Sequence, residues 1–349
     1  MSSPPSSPGL TPVRGTAEEI LDLLRSWDAA DEPQPVVVET SGSTGRPKRV
    51  VLSRQAMRAS VDATHARLGG PGQWLLALPA TYVAGLLVLF RSVRAGTEPV
   101  VAADGLAAGA ARTMTGERRY LSLVPTQLHR ALGDDRVRPA LTRFDSVLVG
   151  GAPLDPGLRR RAEESGARIV ATYGSSETCG GCVYDGSPLD GVEVGTVDGR
   201  VRVRGPVLFD GYDGQPDLTA QVLRDGWFLT QDLGEVGEDG RLRLHGRADD
   251  VILSGGVNVP VGAVGAALRS HPEVRELELV CVPDEEWGES LVAVADTDLG
   301  IGELRDRVAE HLPRSFAPRR LVRVAALPLL PNGKVDRLAV RRLADRAPR

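Results

Sequence analysis

The chain has 349 residues, of which 42% are hydrophobic and 25% charged, with a formal net charge of −4. This is the composition of a soluble globular protein long enough for two domains. It excludes the basic stripe of a nucleic-acid binder, and the longest apolar run, Val83 to Phe90, is too short to span a bilayer.

The N-terminal stretch 1–15 is rich in Pro and Ser and lacks the charged-then-apolar pattern of a secretory signal, so it reads as a disordered leader and the chain as cytoplasmic. Residues 16–28 place apolar side chains at helical spacing, with Thr16 as N-cap and Glu19 three residues on. Val36 to Val38 reads as a buried strand, residues 40–48 as a turn-rich loop and 49–52 as extended chain. Ser53 caps a helix reaching about Leu68, ended by Gly69-Gly70-Pro71-Gly72. A strand at 74–78 precedes a helix running through Arg91, and apolar strands recur at 120–124, 146–149 and 168–172. Strands alternating with helices predict an α/β domain with a largely parallel sheet.

From about residue 192 the pattern changes to short strands with turns at Asp198-Gly199 and Asp239-Gly240. Beyond Gly246 a compact unit remains, with strands near 251–253, 274–282, 290–296 and 321–325 and helices near 260–270 and 301–312. The expected domains are therefore 16–246 and 247–349, and no internal repeat is present.

Cys179 and Cys182 form a C-x-x-C, but a closed zinc site needs four ligands and none of the five histidines stands at metal-ligand spacing from them. Small residues packed beside a site explain the pair better than thiol chemistry does. The basic residues are more telling. Of 42, only Lys48 and Lys334 are lysine, the rest arginine. Lysine is a compact point charge on a flexible stem, suited to following a phosphate or carboxylate through a reaction.

Both lysines lie in loops with the composition of a phosphate site. Thr40-Ser41-Gly42-Ser43-Thr44-Gly45-Arg46-Pro47-Lys48 combines glycines, over which backbone can approach an anion, with hydroxyl donors. It is not a Walker A loop, because the Gly-to-Gly spacing is wrong and Pro47 removes an amide. Gly150-Gly151-Ala152 and Thr172-Tyr173-Gly174-Ser175-Ser176-Glu177 each end a predicted strand, where open α/β sheets bind ligands. Tyr173 offers a ring for a base and Glu177 a carboxylate for Mg²⁺. Asp232 suits a ribose diol. Gly246-Arg247-Ala248-Asp249-Asp250 leads into Ser254-Gly255-Gly256, and Pro331-Asn332-Gly333-Lys334 presents the second lysine on a turn.

In this order the motifs resemble those of the acyl-adenylate-forming superfamily of acyl-CoA synthetases, luciferases and peptide-synthetase adenylation domains, over residues 36 to 340. The resemblance implies a large N-terminal α/β domain with a shortened first lobe plus a small mobile α+β C-terminal domain. It implies ATP and coenzyme A as substrates, with Mg²⁺ as cofactor. Thr40 to Gly45 with Lys48 would form the phosphate loop, and Gly150, Gly151 and Ala152 would line the adenine site with Thr172, Tyr173 and Gly174. Ser175 and Ser176 would sit by the phosphate, Thr44 and Glu177 on Mg²⁺, and Asp232 and Arg247 on the ribose. Asp249 would be the hinge, Gly255 and Gly256 the coenzyme A surface, and Lys334 the catalytic lysine. Gln231 and Ser175-Ser176 depart mildly from the usual pattern, and about 35 residues precede the first core strand where relatives have many more.

With Leu78 to Gly85 and Cys179 to Gly186, the chain looks like the actinobacterial o-succinylbenzoate–CoA ligases of menaquinone synthesis. Small Gly180 and Gly181 would leave room for a flat ring and Tyr82 would pack against it. Arg91 is the candidate for a second carboxylate. A core aromatic and a surface charge are the plainer readings of Tyr82 and Arg91. Another aryl or acyl acid, a carrier-protein acceptor, and a nucleotide-binding module without turnover stay open, as does the oligomeric state, a homodimer included.

Overall fold

The computed structural model describes residues 10–40, 48–102, 108–330 and 333–346. Its centre is a seven-stranded sheet. Strands Gln73–Leu76, Arg119–Leu123, Ser146–Gly150 and Ile169–Ser175 run parallel in that spatial order, with Val100–Val101 outside the first. Gly180–Tyr184 and Ser187–Pro188 close the other edge antiparallel. Alternate side chains feed two cores. Trp74, Leu76, Tyr120 and Leu148 face the helices Arg54–Arg67 and Val83–Ala95. Leu75, Leu121, Leu123, Val147 and Val149 face the helix Pro125–Gly133 and its neighbours. A sheet covered on both faces needs strands that are apolar throughout, which is why these read as continuous hydrophobic runs.

The parallel strands end at one edge of the sheet, so the loops that follow them converge there. Two glycines make that edge tight. A Cβ on Gly150 would stand 2.2 Å from Thr172 Oγ1, and one on Gly174 would stand 2.0 Å from the Gly180 carbonyl oxygen.

Several expectations need adjusting. The first helix, Ala17–Ala29, carries the predicted reciprocal cap between Thr16 and Glu19. Residues 10–15, however, are not a free leader: Val13 is buried, and its amide donates to Val37 O at 2.9 Å. Residues 1–9 lie outside the described residues. The strand expected at 74–78 stops at Leu76, and the helix expected to end at Arg91 continues to Ala95, where Gly96 turns left-handed. Strands Val36–Thr40 and Lys48–Leu52 pair with each other, and Lys48–Leu52 pairs on its other side with Gly211–Tyr212, in a small sheet of their own.

The Asp198-Gly199 turn joins Glu193–Val197 to Arg200–Arg204 with both central residues at positive φ, as a two-residue hairpin requires. Residues 237–241 join Trp227–Val236 to Leu242–Arg247, which places Asp232 opposite Arg247. In the C-terminal unit, Val274–Asp284 and Gly288–Thr297 form a long hairpin. Helices Val261–Arg269 and Ile301–Ala309 cover one face of it. The helix Arg337–Arg346, not anticipated from sequence, covers the other through Val340 and Ala344. Among the described residues no helix is long and apolar enough to cross a membrane.

Candidate active site

Three groups of predicted residues meet at the converging strand ends. In the first, Tyr173 leaves the Ile169–Ser175 strand with its hydroxyl donating to Asp232 Oδ2 at 2.8 Å. Arg247 Nη1 donates to Asp232 Oδ1 at 3.3 Å from the adjoining strand. The Asp232 amide is itself held by Thr230 Oγ1 at 3.0 Å. Burial, reinforced by the Asp232 carboxylate, pushes the Tyr173 phenol up, so it stays a neutral donor.

The second group surrounds Glu177, which stands on the short turn Ser176–Thr178 directly after that strand. Thr178 ties the turn down: its hydroxyl accepts from the Ser175 amide and donates to Gly180 O, both at 2.8 Å. Tyr212, which sequence reasoning did not single out, donates its hydroxyl to Glu177 Oε1 at 2.8 Å. Lys48 Nζ lies 5.2 Å from the centre of the Tyr212 ring. The only signal for Tyr212 in the sequence is its place in a Gly-Tyr-Asp-Gly run, a composition shared with ordinary turns.

The third group brings the C-terminal unit in. Gly333 and Lys334 lie between the bridged residues Leu329 and Val335, and the Gly333 carbonyl accepts from Thr126 Oγ1 at 2.7 Å. Lys334 Cε lies 3.0 Å and Nζ 3.5 Å from where a Cβ on Gly151 would be. Lys334 is exposed as a residue, yet the protein around its ammonium displaces part of the water there. That desolvation lowers its pKa, while the Glu177 carboxylate opposes the shift. The second lysine thus reaches the Gly151 turn, within electrostatic range of Glu177.

The acyl-pocket candidates continue away from this edge as a row of contacts. A Cβ on Gly181 would stand 3.1 Å from both Thr172 Cβ and Tyr184 Cε1, and one on Gly180, 2.6 Å from Leu87 Cδ1. Tyr184 and Thr64 hydroxyls are 3.1 Å apart, and Arg91 Nη2 donates to Thr64 Oγ1 at 3.4 Å. Arg91 is not a surface charge. It is 4% exposed, its guanidinium lies 4.8 Å from the Trp74 ring centre, and among the described residues it has no carboxylate partner. Among the described residues its Nε, the Trp74 Nε1 and the His65 Nε2 are all buried without a hydrogen-bond partner. Burial, with Arg91 adding to it, brings the His65 pKa down to about 4.

Tyr82 is half-buried and starts the helix Val83–Ala95, its carbonyl accepting from the Leu86 amide at 2.8 Å. Gly255 and Gly256 form the turn between Val251–Ser254 and Val257–Pro260; Gly255 packs against Trp287, while a Cβ on Gly256 would meet open space. Cys179 and Cys182 are buried; burial raises both thiols, Cys182 to about 12, which keeps them inert at neutral pH. Ser41, Gly42, Ser43, Thr44 and Gly45 lie outside the described residues, and the structure describes Thr40 and Lys48 as the register pair on either side of them.

Comparison with known proteins fits this geometry. The AMP-binding enzyme family model matches residues 32–213, and the model of the AMP-binding enzyme C-terminal domain matches 263–334. The chain belongs to the AMP-binding enzyme family. It is 43% identical to a probable 2-succinylbenzoate–CoA ligase of Mycobacterium tuberculosis, across 98% of this chain and 93% of that one. It is 33% identical to the 2-succinylbenzoate–CoA ligase of Escherichia coli K12, across 88% of this chain and 68% of the relative. Among solved structures it superposes with a TM-score of 0.73 on the o-succinylbenzoate CoA synthetase of Bacillus subtilis in complex with its acyl-adenylate intermediate. That match has 26% identity and covers 90% of this chain and 69% of the other. The amide bond synthetase McbA of Marinactinospora thermotolerans superposes at 0.75, with 32% identity over 88% and 69% of the two chains.

Proposed function

We propose that the chain is a 2-succinylbenzoate–CoA ligase of menaquinone biosynthesis, using ATP to form the acyl-adenylate and coenzyme A to take the acyl group. The observation that carries the chemistry is Lys334 seated over Gly151, at the strand ends where Glu177 and Asp232 also lie. The acid is carried by the 43% identity to a protein of that name along nearly the whole chain.

The first step joins two anions. A carboxylate oxygen attacks the α-phosphorus, the bond to the bridging oxygen breaks and pyrophosphate leaves. Lys334 offsets charge on both partners and holds them in line, an effect that grows in the transition state. Tyr173 and the Gly150–Gly151 loop flank the adenine, while Asp232 and Arg247, already paired at 3.3 Å, take the ribose hydroxyls. Thr40, Lys48, Ser175 and Ser176 border the phosphates.

Glu177 fits Mg²⁺. Tyr212 occupies one of its oxygens, and Mg²⁺ ordinarily takes one or two carboxylates and completes its octahedron with water and phosphate oxygens. When bound, the ion would neutralise charge building on the pyrophosphate. Thr44 would share it.

The chain divides at the turn Ala248–Asp250 into a nucleotide domain, 16–246, and a mobile C-terminal domain, 247–349, with Asp249 as hinge. In the second step the coenzyme A thiolate attacks the acyl carbon and AMP leaves. The same space then needs a thiol channel, so Lys334 withdraws and Gly255 and Gly256 approach. Asp249→Pro should slow thioester formation from supplied adenylate far more than adenylation; equal loss in both would remove the hinge.

Gly180 and Gly181 wall the acyl pocket with Tyr82, and Arg91 reads the second carboxylate. A buried guanidinium without an acid is costly unless an anion arrives. The decisive assay is coenzyme A thioester formation from o-succinylbenzoate with ATP and Mg²⁺, beside benzoate and medium-chain acids. Selective turnover of the diacid is the expected result, and exclusive turnover of a monoacid would refute the substrate.

A further inference from the structure

We propose that Tyr212 is a positioning residue for adenylation: its hydroxyl orients Glu177 and its ring seats Lys48. The inference rests on the reading of Glu177 as the carboxylate that holds Mg²⁺. Tyr212 is 5% exposed and belongs to an aromatic cluster, its ring centre 5.0 Å from that of Phe209. A tyrosine so placed fills core. What core filling leaves unexplained is where its two polar-facing surfaces point. The hydroxyl meets Glu177 Oε1 at 2.8 Å, and the ring faces the Lys48 ammonium at 5.2 Å. One side chain thus touches both the acid after the Ile169–Ser175 strand and the lysine that begins Lys48–Leu52.

The segment carrying Tyr212 is fastened to both elements by backbone. The Phe209 amide donates to Glu177 O, the Asp210 amide to Val51 O and the Asp213 amide to Arg49 O, each at 2.9 Å. Arg49 and Asp213 add an ion pair at 2.9 Å. Behind the ring, Thr219 Oγ1 accepts from the Tyr212 amide at 2.9 Å. Gly211, at φ +145°, leaves no room for a Cβ, which would stand 2.8 Å from Thr219 Cγ2. The loop is therefore built to present Tyr212 in one orientation. Its consequence is chemical: a donor on Oε1 fixes the carboxylate plane and leaves Oε2 to meet a cation. Groups that orient a metal-binding carboxylate in this way typically matter about 10–100-fold in metal affinity or activity.

The test uses full-length Tyr212→Phe, which keeps the ring and removes only the donor. Mn²⁺ binding in the presence of ATP, followed by electron paramagnetic resonance, should weaken about 10-fold, with the Mg²⁺ half-saturation of adenylation rising alongside. Thioester formation from supplied acyl-adenylate should hold its rate, and melting should stay close to wild type. Tyr212→Phe on a Glu177→Gln background should add nothing to the loss of Mn²⁺ affinity. Tyr212→Leu, which also removes the ring, should in addition raise the KM for ATP. Wild-type Mn²⁺ affinity in Tyr212→Phe, or equal loss in both half-reactions, would overturn the proposal. If Glu177→Gln itself left Mn²⁺ affinity unchanged, the reading of Glu177 would fall and this inference with it. Weakened affinity in Glu177→Gln but not in Tyr212→Phe would remove the inference alone.

Discussion

The nucleotide edge and the Arg91 region are a few contacts apart, yet they handle charge in opposite ways. At the edge the charges are engaged in advance: Asp232 with Arg247 and Tyr173, Glu177 with Tyr212. The Asp232–Arg247 pair is partly exposed, so it costs little to form and can exchange its partner for a ligand, while Tyr212 stays on one Glu177 oxygen and leaves the other open. Around Arg91 the guanidinium, the Trp74 indole and the His65 ring are buried, and among the described residues each retains a nitrogen without a partner. Such a cluster is held in place by the surrounding core at a cost in stability, and an anion of the right shape would relieve it. The lesson is that an exchangeable site and a selective site call for different degrees of desolvation.

The largest effect should come at the edge. Lys334→Ala should slow adenylation on the order of 10²–10³-fold, measured by pyrophosphate exchange, and leave thioester formation from supplied adenylate nearly intact. Loss in both steps would mean that Lys334 serves the fold.

Arg91→Met sharpens the comparison from the other side. Removing a buried, unpaired charge should leave melting unchanged or raise it, while the KM for o-succinylbenzoate climbs on the order of 10²-fold. Activity toward an acid lacking the second carboxylate should barely change. A parallel fall for both acids would return Arg91 to the core.

His65 supplies a pH readout for the same buried region. Its folded pKa, about 4, is below the ordinary 6.5, so the unfolded chain takes up a proton first as pH falls. Above 6.5 the residue contributes no slope. Between about 6.5 and about 4 it should cost stability progressively, on the order of 3 kcal/mol at the lower end. Denaturant melts of His65→Gln should show a shallower loss across that window, and an identical slope would contradict the burial argument.

The smallest effect should be Tyr173→Phe. The ring that meets the adenine stays and one hydrogen bond to Asp232 goes, so the KM for ATP should change only a few-fold, about 3–10, with kcat nearly preserved. A collapse in kcat would show that the hydroxyl has a larger task than holding Asp232.

Much of the nucleotide edge was legible because its residues sit on strand ends and turns, where local chemistry demands particular types. Gly150 and Gly174 are needed where backbones nearly touch, and the Asp198-Gly199 hairpin is dictated by positive φ. The Arg337–Arg346 helix was not legible, since its buried stripe is only Val340 and Ala344 within an arginine-rich sequence. Tyr212 was missed for a related reason. Its partners Glu177 and Lys48 lie 35 and 164 positions away in the chain, and neither contact leaves a local pattern.

Periodicity and turn chemistry act over a few residues, so the sequence by itself determined the strands, the hairpins and which loops carry anion-binding residue types. The meeting of Lys334 with Gly151, the hold of Tyr212 on Glu177 and the burial of Arg91 without an acid were decided only by the tertiary structure. Each depends on the direction in which a side chain leaves its element and on what distant segment fills the space it enters. Those are properties of packing, and hydrophobic pattern alone does not encode them.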